Sequence, residues 1–181
     1  MEYNAILGSI LAELSENAKK ISADELEKFA DAVISAKRVF IAGAGRSGFA
    51  ARAFSNRAMH LGLTVYFVGE PTTPAIREGD ILVIGSGSGT TKTMVILAEK
   101  AKKYGATLGL ISGNADSIIG KMADVNIVIP RTMPKPGGKP EDRGGSFYHV
   151  MQMVCDCIQA YVLEARGMTG KDVRYYHNNL E

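Results

Sequence analysis

Few cysteines, little net charge and no long apolar run set the outer limits on this chain. Only two of its 181 residues are cysteine, Cys155 and Cys157, and they lie two apart in a stretch with helical periodicity. Side chains at that spacing point to different faces of a helix, so no disulfide between them is expected and both are read as buried thiols. Further His or Cys partners at metal-ligand spacing are missing, so no metal site is expected either. The formal net charge is +2, with Lys and Arg scattered among Asp and Glu. That distribution gives no electrostatic case for binding nucleic acid or a membrane surface. No apolar run approaches the roughly 20 residues of a membrane span, and the first residues show no charged segment followed by an apolar one. The expectation is a cytoplasmic globular protein, with residues 1–181 forming one domain.

What is present is organised around Val39-Phe-Ile-Ala-Gly-Ala-Gly-Arg-Ser-Gly48, an apolar strand that runs into a glycine turn and then a helix. The free N–H groups at such a helix start make a ready site for an oxyanion. A second copy of this arrangement follows, where Ile81-Leu-Val-Ile84 leads into Gly85-Ser-Gly-Ser-Gly-Thr-Thr91. Hydroxyls and helix-start N–H groups together satisfy most of the acceptors of a phosphate. Ser and Thr also cap helices without binding anything, but three glycines and four hydroxyls in the seven positions 85–91 favour phosphate. A P-loop is excluded, because the Gly-Lys-Ser/Thr ending is absent. Gly43-Ala-Gly45-Arg-Ser-Gly48 also fits a dinucleotide fingerprint, with Glu70 placed to hold a ribose. That alternative leaves the second hydroxyl-rich turn without a use.

The rest of the chain supplies the scaffold. Apolar residues at helical spacing predict helices over 2–20, from the Ser22-Ala-Asp-Glu25 capping box to Lys37-Arg38, over Phe49–Leu61, Lys92–Tyr104 and Phe147–Ala165, with a short one over Asp116–Met122. Strands are predicted at Val39–Ala42, Thr64–Val68, Ile81–Ile84, Thr107–Ile111 and Val125–Ile129. Strands and helices in alternation imply βαβ units, hence an α/β fold whose parallel sheet carries helices on both faces. Ligands of such sheets bind beyond the carboxyl ends of the strands, where both glycine turns fall. Residues 130–146, rich in Pro and Gly, read as an irregular loop, either a lid or a connection. The tail from Met168 to Glu181 is polar, and His60 is read as a packing or interface residue.

The form Ser86-Gly-Ser88-Gly-Thr-Thr91 resembles the phosphosugar-binding turn of the sugar isomerase (SIS) domain family, in particular its 6-phospho-3-hexuloisomerases. Gly45-Arg-Ser-Gly48, Met59-His-Leu-Gly62, Tyr66-Phe-Val-Gly-Glu-Pro-Thr-Thr-Pro74 and the terminal His177-Asn-Asn-Leu-Glu181 extend the resemblance over nearly the whole chain. It implies a flavodoxin-like three-layer α-β-α sandwich on a five-stranded parallel sheet, and a homo-oligomer, a tetramer. It also implies interconversion of D-arabino-hex-3-ulose 6-phosphate and fructose 6-phosphate through a cis-enediolate, with no cofactor. In that reading Ser47, Ser86, Ser88 and Thr91 hold the phosphate, Gly87 and Gly89 let the backbone approach it, and Arg46 and Glu70 line the sugar end. Arg46 as a surface ion-pair residue and Glu70 as a turn residue are the alternatives.

One segment departs from the family pattern. Relatives carry Gly-small-x-aromatic-Glu at the start of the last long helix, with that Glu as the candidate base, whereas this chain reads Gly144-Gly-Ser-Phe-Tyr148-His149. Either Tyr148 or His149 takes the carboxylate's place, depending on which aromatic is aligned. His149 is the expected substitute base, because an imidazole suits proton transfer near neutrality. His177 is the other candidate, reaching a neighbouring subunit. A missing carboxylate also keeps open a non-catalytic phosphosugar sensor, or an isomerase for arabinose 5-phosphate or sedoheptulose 7-phosphate.

Overall fold

The computed structural model describes residues 3–130 and 146–180. The expected irregular loop falls almost wholly at 131–145, outside the described residues. Helices α1 (Tyr3–Ala18), α2 (Ala23–Ser35), α3 (Gly45–His60), α4 (Lys92–Lys103), α5 (Phe147–Ala165) and α6 (Gly170–Tyr175) alternate with strands β1 (Val39–Gly43), β2 (Val65–Phe67), β3 (Ile81–Gly85), β4 (Thr107–Ser112) and β5 (Val125–Val128). All strand pairings are parallel, in the order β2-β1-β3-β4-β5. This is the flavodoxin-like order, in which the chain winds one way from β1 to β2 and the other way from β3 onward.

Helices on both faces explain why β3 is buried along its whole length rather than at alternate residues. One core lies where Phe29 and Val33 of α2, Phe54 and Ala58 of α3, and Val154 and Ile158 of α5 meet Ile41, Val83 and Ile127 of the sheet. The other face packs Met94, Ala98 and Ala101 of α4 on Phe40, Leu82, Ile84 and Leu110. Each fully buried large side chain contributes about 1.5–3 kcal/mol. At the amino ends of β1 and β3 the guanidinium of Arg38 grips Asp80 through two hydrogen bonds, 2.9 Å from Nε and 2.6 Å from Nη2. The Arg77 N–H donates a third, at 2.8 Å. Burial pushes the Asp80 carboxyl up, but the Arg38 and Arg77 donors outweigh it and hold the group below the usual carboxylate range.

Several boundaries differ from expectation for identifiable reasons. Helix α3 starts four residues early, at Gly45, because the glycine turn is itself the first helical turn. Residues 116–122 form turns rather than a helix. Ser22 caps α2 by accepting the Glu25 N–H. The Glu25 carboxylate does not complete a capping box there but accepts the Val128 N–H at 3.0 Å, covering edge strand β5. In the tail, Thr169 and Asp172 make a full capping box that starts α6. Cys155 is buried and its thiol pushed well up by that burial, while Cys157 is exposed, contrary to its expected burial.

Candidate active site

β1 and β3 are neighbours in register, Gly43 opposite Gly85, and the winding reverses between them. Their carboxyl ends therefore open at the one switch point of the sheet, and both glycine turns lie there. The first turn is tight for a steric reason. A Cβ on Gly43 would stand 2.9 Å from the Gly48 Cα, and one on Gly48 would stand 2.7 Å from the Gly43 oxygen, so only a pair of glycines lets α3 begin against the end of β1. Ala44 caps α3 without a side-chain bond, and Ala44, Gly45 and Arg46 are exposed. The first N–H groups of the helix have no partner within it, and the helix dipole adds a partial positive charge at the same end.

The second turn is buttressed from below. Gly89 has φ +64°, and a Cβ there would collide with the side chain of Ser117. Ser86 is buried, and its Oγ accepts the Gly89 N–H at 3.2 Å. The Ser88 Oγ accepts the Thr90 N–H at 3.2 Å. Each of these hydroxyls thus shapes the loop as an acceptor and retains a proton to donate. Thr91 is the N-cap of α4 with no side-chain cap bond, so its hydroxyl is not committed to capping. The Ser47 carbonyl comes within 3.6 Å of where a Gly85 Cβ would be, so the two turns sit side by side. Together they present two helix N-termini and the hydroxyls of Ser47, Ser86, Ser88 and Thr91, which is a donor set for a phosphate dianion.

The start of α5 closes the third side. Phe147 lies 3.2 Å from a Cβ built on Gly87, and the end of Met151 fills the space a Gly85 side chain would need. The Tyr148 ring stacks on the Arg46 guanidinium, 5.0 Å from its centroid, a cation–π contact that ties α5 to the first turn of α3. Asn17, at the end of α1, donates to the Ser146 Oγ at 2.9 Å within the interior and so anchors this helix start. A separate groove of about 620 Å³, lined by Phe40, Val68, Leu82, Leu97 and Tyr104, lies beside the C-terminal half of α4. Its mostly apolar walls carry no helix N-terminus to receive a phosphate.

The sequence matches the SIS domain over residues 32–144. The chain belongs to the SIS domain family. The 3-hexulose-6-phosphate isomerase of Bacillus subtilis (strain 168) is 35% identical over 192 residues, with all of both chains covered. The enzyme of the same name from Mycobacterium gastri is 35% identical over 178 residues, 97% of this chain and 89% of that one. Among solved structures, a hypothetical protein from Methanococcus jannaschii, whose structure was described as inferring a function of 3-hexulose-6-phosphate isomerase, superposes with a TM-score of 0.79. It is 27% identical, with 99% of both chains covered.

Within this SIS fold the residues expected at the site separate into those that meet and those that do not. Arg46, Ser47, Ser86, Gly87, Ser88, Gly89 and Thr91 converge with Tyr148 at the switch point. Glu70 lies in the turn after β2, in an exposed ion pair with Arg52 at 2.7 Å, while Arg52 also covers the Phe67 ring. His149 lies two residues on from Phe147, about 200° round the helix, and so faces away from the serine turn. Its ring rests on Tyr148 at 3.8 Å, and its buried Nδ1 has no hydrogen-bond partner among the described residues. His177 is stacked on His60 at 4.8 Å, beside the last turn of α3. That helix has 16 residues, about 24 Å at 1.5 Å each, so His177 is at the opposite end of α3 from the serine turn of its own chain. Phe147, Met151, Asn17 and Ser117 are the site residues that sequence reasoning missed, because their partners are distant in the chain.

Proposed function

We propose that this chain is a phosphosugar isomerase that interconverts D-arabino-hex-3-ulose 6-phosphate and D-fructose 6-phosphate in the cytoplasm. The observation that carries the reading is the meeting of two helix N-termini and the Ser86–Thr91 hydroxyls at the switch point, in a chain aligned end to end with relatives of that name. The phosphate is held by Ser47, Ser86, Ser88 and Thr91 together with the backbone N–H groups at the starts of α3 and α4. This fixes the far end of the sugar and presents its C2–C3 bond toward Arg46 and Tyr148. The C2 proton is acidic because it is α to the C3 ketone. Its removal gives a cis-enediolate, which the guanidinium of Arg46 stabilises as the negative charge develops. Protonation at C3 leaves the ketone at C2. Hydrogen moves only between adjacent atoms of one molecule, so the step balances without a redox partner.

The carbon base is assigned to His177 of a second copy in a homotetramer, with residues 1–181 as one domain. The support is the separation of His177 from its own serine turn, which leaves another copy as its route to the chemistry. The test is to supply the condensation product of formaldehyde and ribulose 5-phosphate and to measure fructose 6-phosphate. Turnover of arabinose 5-phosphate or sedoheptulose 7-phosphate alone would change the substrate and keep the class. Calorimetric binding of hexulose phosphate with no conversion and no solvent deuterium entering C2 or C3 would replace the enzyme with a sensor.

A further inference from the structure

Isomerisation between a 3-ketose and a 2-ketose moves two hydrogens, one between carbons and one between oxygens. A base that serves C2 and C3 does not by itself carry the second. The protomer brings one neutral donor-acceptor side chain from α5 up to the first turn of α3. Phe147 against Gly87 and Met151 against Gly85 fix the rotation of α5. With that rotation fixed, Tyr148 turns to Arg46, where its ring lies 5.0 Å from the guanidinium. The same rotation takes His149 away from the serine turn, and Glu70 is held by Arg52 in the turn after β2.

Resting on the proposed isomerase function, we infer that the Tyr148 hydroxyl relays the proton between the two enediol oxygens. Once the C2 proton has left, the electron pair of the C2–H bond forms C2=C3, and the carbonyl pair moves onto O3. The Tyr148 O–H donates its proton to O3, and the phenolate oxygen takes the proton of the O2 hydroxyl. Tyr148 ends as it began, neutral, and the negative charge has passed from O3 to O2. The charge on O2 then closes to the C2 ketone as C3 receives its proton. The adjacent Arg46 cation favours the anion wherever it sits along this path. A phenol suits the task because it donates and accepts through one atom and returns to its neutral form when the relay is complete.

The test is Tyr148→Phe, which keeps the ring and its stack on Arg46 and removes only the oxygen. Two rates are followed in deuterated water, conversion of hexulose phosphate to fructose 6-phosphate and entry of deuterium at C2 of unconverted substrate. Loss of a relay lowers conversion about 100-fold, in the range of general acid–base contributions, while exchange at C2 persists and KM holds. The exchange-to-conversion ratio therefore rises. Tight binding of fructose 6-phosphate by calorimetry confirms that the variant is folded. A parallel fall in exchange and conversion, or no fall in either, overturns the relay and leaves the isomerase intact. Wild-type protein that neither exchanges nor converts overturns the isomerase and the relay together.

Discussion

Gly48 backs onto Gly43 so closely that a Cβ at position 48 would stand 2.7 Å from the Gly43 carbonyl oxygen. The contact is between backbone and backbone, so no side chain is available to move aside. It lets α3 begin at the end of β1 and aims the free N–H groups of the helix into the switch point.

Gly48→Ala tests that contact against helix propensity. Alanine in a helix is favoured over glycine by about 1 kcal/mol, yet overpacking against a fixed backbone costs about 1–3 kcal/mol. The clash wins, so Gly48→Ala lowers the urea midpoint and weakens sugar phosphate binding. Gly8 lies within α1 with nothing within 4 Å of its would-be Cβ. Gly8→Ala therefore stabilises by about 0.5–1 kcal/mol without altering turnover. Equal effects of the two substitutions would dismiss the close-packing account.

Asp80 makes stability depend on pH in one direction. Its folded pKa is lowered, mainly because the Arg38 and Arg77 donors outweigh the opposing effect of burial. A lowered carboxyl contributes stability that is fully present above its unfolded value, near 3.9, and is lost as pH falls through the folded value below it. Asp80→Asn is expected to cost about 3 kcal/mol at neutral pH, since it leaves Arg38 without its carboxylate. Urea unfolding of both proteins from pH 7 to 2 checks this, with the gap between them shrinking only at the acid end. A gap that widens on acidification contradicts the sign.

How much of this was legible beforehand depended on the range of the contacts. Both strand-turn-helix units are local, and their glycines, hydroxyls and apolar runs stated the sheet and the phosphate cradle. Helix α3 was placed four residues late because Gly45-Arg-Ser-Gly48 has the composition of a loop, and only the packing of Gly43 on Gly48 makes it helical. The role of Glu70 was not readable, because Arg52, 18 residues away in sequence, holds it. His149 is preferred to Tyr148 on sequence alone, because only the contact of Phe147 with Gly87, spanning 60 positions, fixes which face of α5 looks at the serine turn.

Asn17 connects a helix remote from the chemistry to the start of α5. Its Nδ2 donates to the Ser146 Oγ at 2.9 Å, and Asn17 is 2% exposed. Asn17→Ala is expected to cost about 1–2 kcal/mol of stability through the lost buried hydrogen bond. Because Phe147, Tyr148 and Met151 follow directly, it also lowers kcat/KM for hexulose phosphate. Asn17→Ala with unchanged kinetics would mean that the α5 start holds its place without α1.

The placement of His177 predicts complementation between inactive subunits. The ring stacks on His60 beside the last turn of α3, whereas Arg46 is in the first turn of the same helix. If one copy supplies Arg46 and another supplies His177, each site in the assembly draws on two chains. Arg46→Ala and His177→Ala homo-oligomers are then both inactive, since every site in each lacks one partner. When the two are unfolded together and refolded at equal amounts, a body with intact Arg46 meets a tail with intact His177 in about one site in four. Activity near a quarter of wild type is the expected outcome in the hexulose phosphate assay. A mixture as inactive as its parents, in oligomers shown by mass to be hybrid, would place both residues in one chain's site or leave His177 outside the chemistry.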